Sequence, residues 1–76
     1  MKELIEFVVK ALVDDPAEIN IKEVSGDKVT IYELRSAKSD IGKIIGKRGR
    51  TASAIRTIMN AVSARQGKRA VLEIIE

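Results

Sequence analysis

The sequence lacks cysteine, histidine and tryptophan, and it has a single proline, tyrosine and phenylalanine. The absence of cysteine excludes disulfides and thiolate metal sites. The absence of histidine removes the commonest metal ligand and the commonest general base, so a nucleophile has no histidine to activate it. The carboxylates are scattered, and Asp14-Asp15 is better interpreted as a helix stop than as a catalytic dyad. We therefore expect no enzyme, no cofactor, no metal and no small-molecule substrate.

Long apolar runs are also missing. No stretch approaches the roughly 18 consecutive apolar residues of a membrane span, and Met1-Lys2-Glu3 lacks the basic region of a secretory signal. With 76 residues, 45% apolar and 33% charged, the chain is expected to form one domain over 1–76 that buries about 60% of its unfolded surface. We expect a bacterial-type, cytoplasmic protein with no membrane partner.

The charges that are present are distributed unevenly. Residues 1–34 carry four basic and eight acidic side chains, whereas residues 35–69 carry ten basic side chains and one acidic side chain. The net charge of +3 hides this asymmetry. A segment with so few acids produces a positive field, and a polyanion is its natural partner. The alternative interpretation is a solvated basic surface without a ligand.

Hydrophobic periodicity predicts a helix followed by a hairpin in the first half of the chain. The helix covers residues 2–13, and we expect Phe7, on its apolar stripe, to lie in the core. Strands over 19–24 and 29–34 are then expected to pair in antiparallel fashion. The turn between them contains Gly26, which can supply a positive φ.

The second half of the chain predicts two helices and a strand. A short helix over 40–45 can be capped by Ser39 or Asp40. A longer helix over 50–65 and a strand over 70–75 follow it. The longer helix has an apolar stripe that we expect to be buried, made of Ala52, Ile55, Ile58, Met59 and Val62.

The element order α-β-β-α-α-β determines the expected sheet. Two helices between the second and third strands form a crossover, which returns the chain in the same direction. The third strand should therefore lie parallel to the second, while the hairpin pair is antiparallel. We predict an α+β fold in which one mixed three-stranded sheet has three helices packed on one face.

The motif that suggests a chemical role is Gly46-Lys47-Arg48-Gly49, called here the GKRG loop, between the two predicted helices. Two glycines three apart let the backbone turn sharply and leave no Cβ on the side of approach. The start of the next helix offers free N–H groups and a partial positive charge, which suit a phosphate. Lys47, Arg48 and Arg50 add three full charges there, and Lys43 adds a fourth. The alternative is a helix corner whose glycines are purely structural.

The residues around this loop resemble a known family. Ile44-Ile45 before the loop, and Arg50 and Ala54-Ile55-Arg56 after it, complete a pattern that resembles the signature of the KH domain. The element order resembles the type II, prokaryotic form, and both ends of the chain are similar to small bacterial proteins built from a single KH domain. The resemblance covers essentially the whole chain. Ala52 departs from it, since many KH signatures carry a larger aliphatic residue there.

The resemblance implies binding of single-stranded RNA. KH domains hold about four single-stranded nucleotides, and their Gly-x-x-Gly loop clamps the backbone. In this sequence the clamp would be the GKRG loop, with Lys43, Arg50 and Arg56 beside it. The loop before the last strand is often the opposite rim in type II members, which corresponds to Lys68 and Arg69. A solvated turn is an equally good interpretation of those two residues.

The resemblance also implies an aliphatic groove beside the loop. Its candidates are Ile41, Ile44, Ile45 and Ile55, of which we expect at least two to be mainly core because a small fold cannot spare them. Tyr32 is expected to pack rather than to stack on bases. A sheet that stacks two or three bases needs more aromatic residues than this chain has, which argues against an RRM-like mode.

The rival hypothesis is a protein-interaction module. The first helix carries apolar residues on more than one stripe, and a small domain without disulfides or metal gains from a partner. The resemblance implies pairing with a second copy or with a larger KH-containing protein. It also implies a role as an RNA chaperone or post-transcriptional regulator linked to bacterial growth, cell shape and division. A pure adaptor would not need Lys47 and Arg48, so the sequence favours RNA binding. If the first helix pairs with that of a second copy, the RNA-binding form is a dimer.

Overall fold

The computed structural model describes all 76 residues and has its main elements in the order α-β-β-α-α-β. Every predicted boundary lies within one residue of the observed one. Short 3-10 turns at Pro16–Glu18, Lys38–Asp40 and Lys47–Gly49 join the elements. The bounds are α1 Lys2–Leu12, β1 Asn20–Ser25, β2 Val29–Arg35, α2 Ile41–Ile45, α3 Arg50–Ala64 and β3 Arg69–Ile75.

The three strands form one mixed sheet in the order β1-β2-β3. β1 is antiparallel to β2, with Ile21 opposite Leu34. β3 is parallel to β2, with Leu72 opposite Tyr32. The parallel pair follows from the crossover through α2 and α3, as the element order predicts. The α+β class and the mixed three-stranded sheet are confirmed.

The core lies between one face of the sheet and the three helices. Because side chains alternate along a strand, the buried strand residues share a single face. Each fully buried aliphatic side chain there contributes roughly 1.5–3 kcal/mol. The core cluster contains Ile21, Tyr32, Leu34, Ala70 and Leu72 from the strands and Ile5, Val9, Ile44, Ile55 and Met59 from the helices. The three helices therefore cover this one face of the sheet, as expected. None of the helices is long and apolar enough to cross a bilayer.

The prediction that Phe7 lies in the core is wrong, because 76% of the residue is exposed. α1 buries only Ile5 and Val9. Phe7 is two positions from each of them, about 200° around the helix at 100° per residue, so it faces away from the sheet. On α3, Ile58 and Val62 of the predicted buried stripe are 48% and 37% exposed. The small sheet covers a narrower stripe of each helix than the apolar pattern suggests.

Two further expectations about single residues are wrong. Gly26 does not have a positive φ; a Cβ there would lie 2.8 Å from the Val29 carbonyl oxygen, so the turn needs glycine for space. Asp40 stands at the start of α2 without capping it. Its buried carboxylate instead accepts the backbone N–H groups of Asp14 at 3.1 Å and Asp15 at 3.0 Å. These partners satisfy a buried charge and tie the α1–β1 connection to α2.

Candidate nucleic-acid interface

The GKRG loop is a sharp turn built from positive φ angles. Gly46, Arg48 and Gly49 have φ values of 77°, 58° and 73°. The Gly46 N–H donates to the Gly42 carbonyl at 2.9 Å, which ends α2, and the Gly49 N–H donates to the Gly46 carbonyl at 3.0 Å. The loop therefore changes the chain direction between α2 and α3 within a few residues.

The two glycines of the loop are needed for different reasons. A Cβ at Gly46 would overlap the Thr51 side chain and lie 2.8 Å from the Thr51 nitrogen, because the first turn of α3 packs directly against this glycine. A Cβ at Gly49 would meet no atom within 4 Å. Gly49 is favoured by its left-handed backbone conformation alone, at φ 73° and ψ 13°. The open space beside Gly49 leaves the loop accessible to a ligand.

Arg48 is the one residue other than glycine with a positive φ. Its φ of 58° and ψ of 27° lie in the left-handed region. That conformation costs an L-residue roughly 1–2 kcal/mol, and glycine would adopt it freely. A long basic side chain at a position that suits glycine indicates a constraint other than folding stability.

The basic side chains at the loop are exposed and have no ion-pair partner. Lys47, Arg48 and Arg50 are all exposed, and the three ion pairs of the structure involve none of them. The first turn of α3 contains no acidic residue and has no side-chain cap, so its backbone N–H groups are not taken by carboxylates. The positive end of this helix together with three exposed cations forms a site suited to a phosphate group.

Lys43 differs from the other cations because it has a partner. Its Nζ contacts the Asp14 carboxylate as a hydrogen-bonded ion pair. This hydrogen bond, and then the negative charges of Asp14 and Asp40, raise the pKa of Lys43. Lys43 precedes Gly46 by three residues in α2, so the ion pair lies beside the GKRG loop.

Arg56 connects α3 to the sheet. Its Nη2 donates to the Leu72 carbonyl of β3 at 3.2 Å. β3 has β2 on one side only, so its other edge is open. Arg56 is still exposed, but one of its donors is engaged by the protein backbone.

The candidate residues of the aliphatic groove are mostly core, which confirms the expectation that at least two of the four isoleucines are buried. Ile44 is fully buried, Ile55 is 5% exposed and Ile41 is 9% exposed. Ile45 alone among the four is exposed, at 36%. Ala52, the departure from the KH pattern, is also buried. Ile45 therefore supplies the aliphatic surface next to the loop, and the other side chains hold the loop in place from beneath.

Lys68 and Arg69 lie far from the GKRG loop. α3 has 15 residues, about 22 Å at 1.5 Å per residue, and these two residues follow its other end. The Lys68 Nζ donates to the Gly26 carbonyl at 3.3 Å, and the Arg69 N–H donates to the Lys28 carbonyl at 2.9 Å. The structure thus separates the predicted basic residues into the loop group and a group beside the β1–β2 turn.

Sequence reasoning missed the role of the acidic residues near the site. The sequence predicts a helix stop at Asp14, and α1 does end before it, but Asp14 also pairs with Lys43 and Asp40 accepts a hydrogen bond from the backbone N–H of Asp14. One signal was available, because Asp40 is the single acidic residue in the basic segment 35–69. No group of three or more His, Cys, Asp or Glu residues is placed to hold a metal ion.

The chain is similar to known proteins over nearly its whole length. A family model described as KhpA/KhpB, KH domain matches residues 2–74. The chain is 54% identical over 76 residues to the RNA-binding protein KhpA of Chlamydia trachomatis serovar D, covering 100% of this chain and 97% of that protein.

Two further relatives carry the same description. The RNA-binding protein KhpA of Borreliella burgdorferi is 53% identical over 74 residues, which cover 97% of this chain and 90% of that protein. The RNA-binding protein KhpA of Aquifex aeolicus is 43% identical over 76 residues, which cover 100% of this chain and 96% of that protein. No solved structure matches the chain significantly.

Proposed function

Because the chain belongs to the KhpA/KhpB family of KH domains, we propose that it binds single-stranded RNA and grips the RNA backbone with the GKRG loop. The relatives are described as RNA-binding proteins, and none of the three is described as an enzyme. This supports a binding function. The observation that carries the proposal is the group of exposed, unpaired cations Lys47, Arg48 and Arg50 around the uncapped start of α3. A phosphate there would meet both the full charges of these side chains and the positive end of the α3 dipole.

The shape of the site favours single strands over duplex. One exposed aliphatic side chain, Ile45, lies beside the loop, and Arg56 marks the open edge of β3 next to α3. An unstacked base can lie against such a surface, whereas a base inside a duplex cannot leave its stack without a cost of a few kcal/mol. We expect the loop to hold the backbone, while Ile45 and the edge of β3 contact the bases.

The loop group forms the centre of the proposed site, and Lys68 and Arg69 form its distal end. A strand of about four nucleotides is long enough to extend from the loop along much of α3. Lys68 and Arg69 would then contact the end of the strand, with Arg69 the freer of the two because Lys68 donates to the β1–β2 turn. Within the cell, we place this binding in the bacterial cytoplasm, as an RNA chaperone or post-transcriptional regulator linked to growth, cell shape and division.

The test is a charge reversal that keeps both glycines of the loop. Replacing Lys47 and Arg48 with Asp changes two exposed residues, so the free energy of unfolding should shift by less than about 1 kcal/mol. Binding to a short single-stranded RNA, followed by fluorescence anisotropy, should be abolished. The matched control is Lys2→Asp with Lys10→Asp on α1, which makes the same charge change away from the loop.

The control variant should keep most of the affinity if the loop is the binding site. Equal binding by the loop variant and the wild type would contradict the proposal, and equal loss in both variants would indicate binding by net charge alone. Crosslinking and sequencing of bound RNA from cells, with the loop variant as the reference, would then test the regulatory role.

A second candidate function, in pairing with another protein, is favoured by one observation. Phe7 is 76% exposed on α1, and α1 and α3 also form a shallow apolar groove, to which Leu4, three residues before Phe7, contributes. In a two-fold symmetric pair, the ring of each copy can fill the groove of the other. The same groove could accept a larger KH-containing partner. The residues that line the groove are Leu4, Ile5, Val8, Ile55, Ile58 and Met59.

A further inference from the structure

The Asp14–Lys43 ion pair is the one acidic contact made by a cation at the proposed RNA site. Lys43 lies in α2, about 4.5 Å along the helix axis from Gly46 at 1.5 Å per residue. Its side chain could reach a phosphate held by the loop if it were free. In the structure it is bound to Asp14 instead.

Asp14 is held in position by the fold. Its backbone N–H donates to Asp40 Oδ1 at 3.1 Å, and the next N–H, from Asp15, donates to Asp40 Oδ2 at 3.0 Å. Asp40 is 1% exposed, so the accepting carboxylate is buried while the two donors are partly buried. The Asp14 carboxylate itself remains exposed and points at Lys43. The buried Asp40 therefore fixes the backbone of Asp14, whose exposed carboxylate contacts Lys43.

This arrangement has a direct electrostatic consequence. A phosphate that approaches Lys43 competes with the Asp14 carboxylate for the ammonium group, and it also comes close to a second negative charge. Lys47, Arg48 and Arg50 have no such competitor. The loop cations are thus free to bind a phosphate, whereas Lys43 is already paired with Asp14 before any RNA binds.

We propose that Asp14 limits the affinity of the site by holding Lys43 away from the RNA backbone. This inference rests on the proposed function of the GKRG loop. The wild-type protein then uses the loop cations but not Lys43, and removal of the Asp14 charge adds one phosphate contact. A site restrained in this way releases RNA more readily than its number of cations suggests.

The test uses Asp14→Asn, with Asp15→Asn as the matched control. Both substitutions remove one exposed carboxylate, add the same net charge and keep the backbone N–H that Asp40 accepts. Only Asp14 has a cation partner. We expect D14N to raise the affinity for a short single-stranded RNA about three- to fivefold, and D15N to change it by less than about 1.5-fold. The log–log salt slope of D14N should become steeper by about 0.7, the value for one more phosphate on a single strand.

Lys43→Ala completes the design, alone and combined with D14N. We expect K43A alone to change the affinity by less than about twofold and to cancel the gain in the double variant. Equal gains in D14N and D15N would overturn the proposal, and so would a gain in D14N that survives K43A. A loss in K43A as large as in Lys47→Ala would show that Lys43 already binds RNA. If the wild type binds no RNA, or binds as well after charge reversal of the loop, the proposed function fails instead.

Discussion

Arg48 combines an exposed basic side chain with a strained backbone conformation. Its left-handed backbone lies between two glycines that also have positive φ. Gly46 cannot carry a side chain because Thr51 fills the space, whereas the Arg48 side chain is exposed and has no ion-pair partner. The strain is consistent with a side chain retained for its charge at a place where the backbone turns most sharply.

Substitution of Arg48 separates strain from charge. Arg48→Gly should increase the free energy of unfolding by about 0.5–1 kcal/mol, because relief of roughly 1–2 kcal/mol of strain exceeds the entropic cost of glycine. Arg48→Gln removes the charge and keeps the strain, so its stability should stay close to that of the wild type. Both variants should lose RNA affinity equally, with a salt slope shallower by about 0.7. Chemical denaturation measures the first effect and anisotropy titrations the second; equal stability of the two variants would contradict the strain argument.

At the level of elements, the short helix α2 depends on a contact outside itself. It has five residues, too few to be stable alone. It is held by its buried side chains Ile41 and Ile44, and by Asp40, which fixes the α1–β1 connection against its start. The position of the GKRG loop is therefore determined from both sides, by the packing of Gly46 on α3 and by Asp40 on the α1 side.

Removing the Asp40 carboxylate should be costly. Asp40→Ala leaves two partly buried N–H groups without an acceptor, and hydrogen bonds to a charged group are worth about 1.5–3 kcal/mol each before any compensation by water. We expect a loss of about 2–4 kcal/mol in the free energy of unfolding, measured by urea denaturation. The control is Ser39→Ala, at the exposed residue that precedes Asp40. It should change the free energy of unfolding by less than about 0.5 kcal/mol. A similar small effect in both variants would mean that Asp40 does not anchor the connection.

At the level of the whole molecule, the basic GKRG loop and the exposed apolar surface of α1 lie in different places. The GKRG loop joins α2 to α3, while the exposed Phe7 lies on α1, which forms an apolar groove with α3. Pairing through the groove would not need the loop, so two binding sites could act together in one particle. Linked sites can raise avidity by about 10²–10⁴ when both engage the same RNA.

Self-association is the prediction that belongs to this scale. We expect sedimentation at tens of micromolar to give a mass approaching twice 8.4 kDa, and Phe7→Asp to restore a mass of 8.4 kDa with an intact fold. Val24→Asp, at another exposed apolar residue on β1, is the control and should leave the dimer unchanged. A wild-type mass of 8.4 kDa at every concentration would exclude a homodimer and leave the groove to a different partner.

The sequence by itself determined the elements and the principal motif. Their boundaries follow from hydrophobic periodicity and turn residues, which act over a few positions, and each was predicted to within one residue. The parallel and antiparallel pairing followed from the element order. The GKRG loop was also identifiable, because glycine spacing and clustered charge are local properties.

Only the tertiary structure decided which of the marked side chains are available. Ile44 and Ile55 became core and Phe7 became surface, because the sheet covers one narrow stripe of each helix. Lys43 was engaged by Asp14, 29 residues away in the chain, and Asp14 was held by Asp40, 26 residues away. Local patterns carry no information about such pairs, since the contact exists only after the crossover has brought α2 against the end of α1. The unpaired cations of the GKRG loop and the ion-paired Lys43 beside it are therefore consequences of the fold.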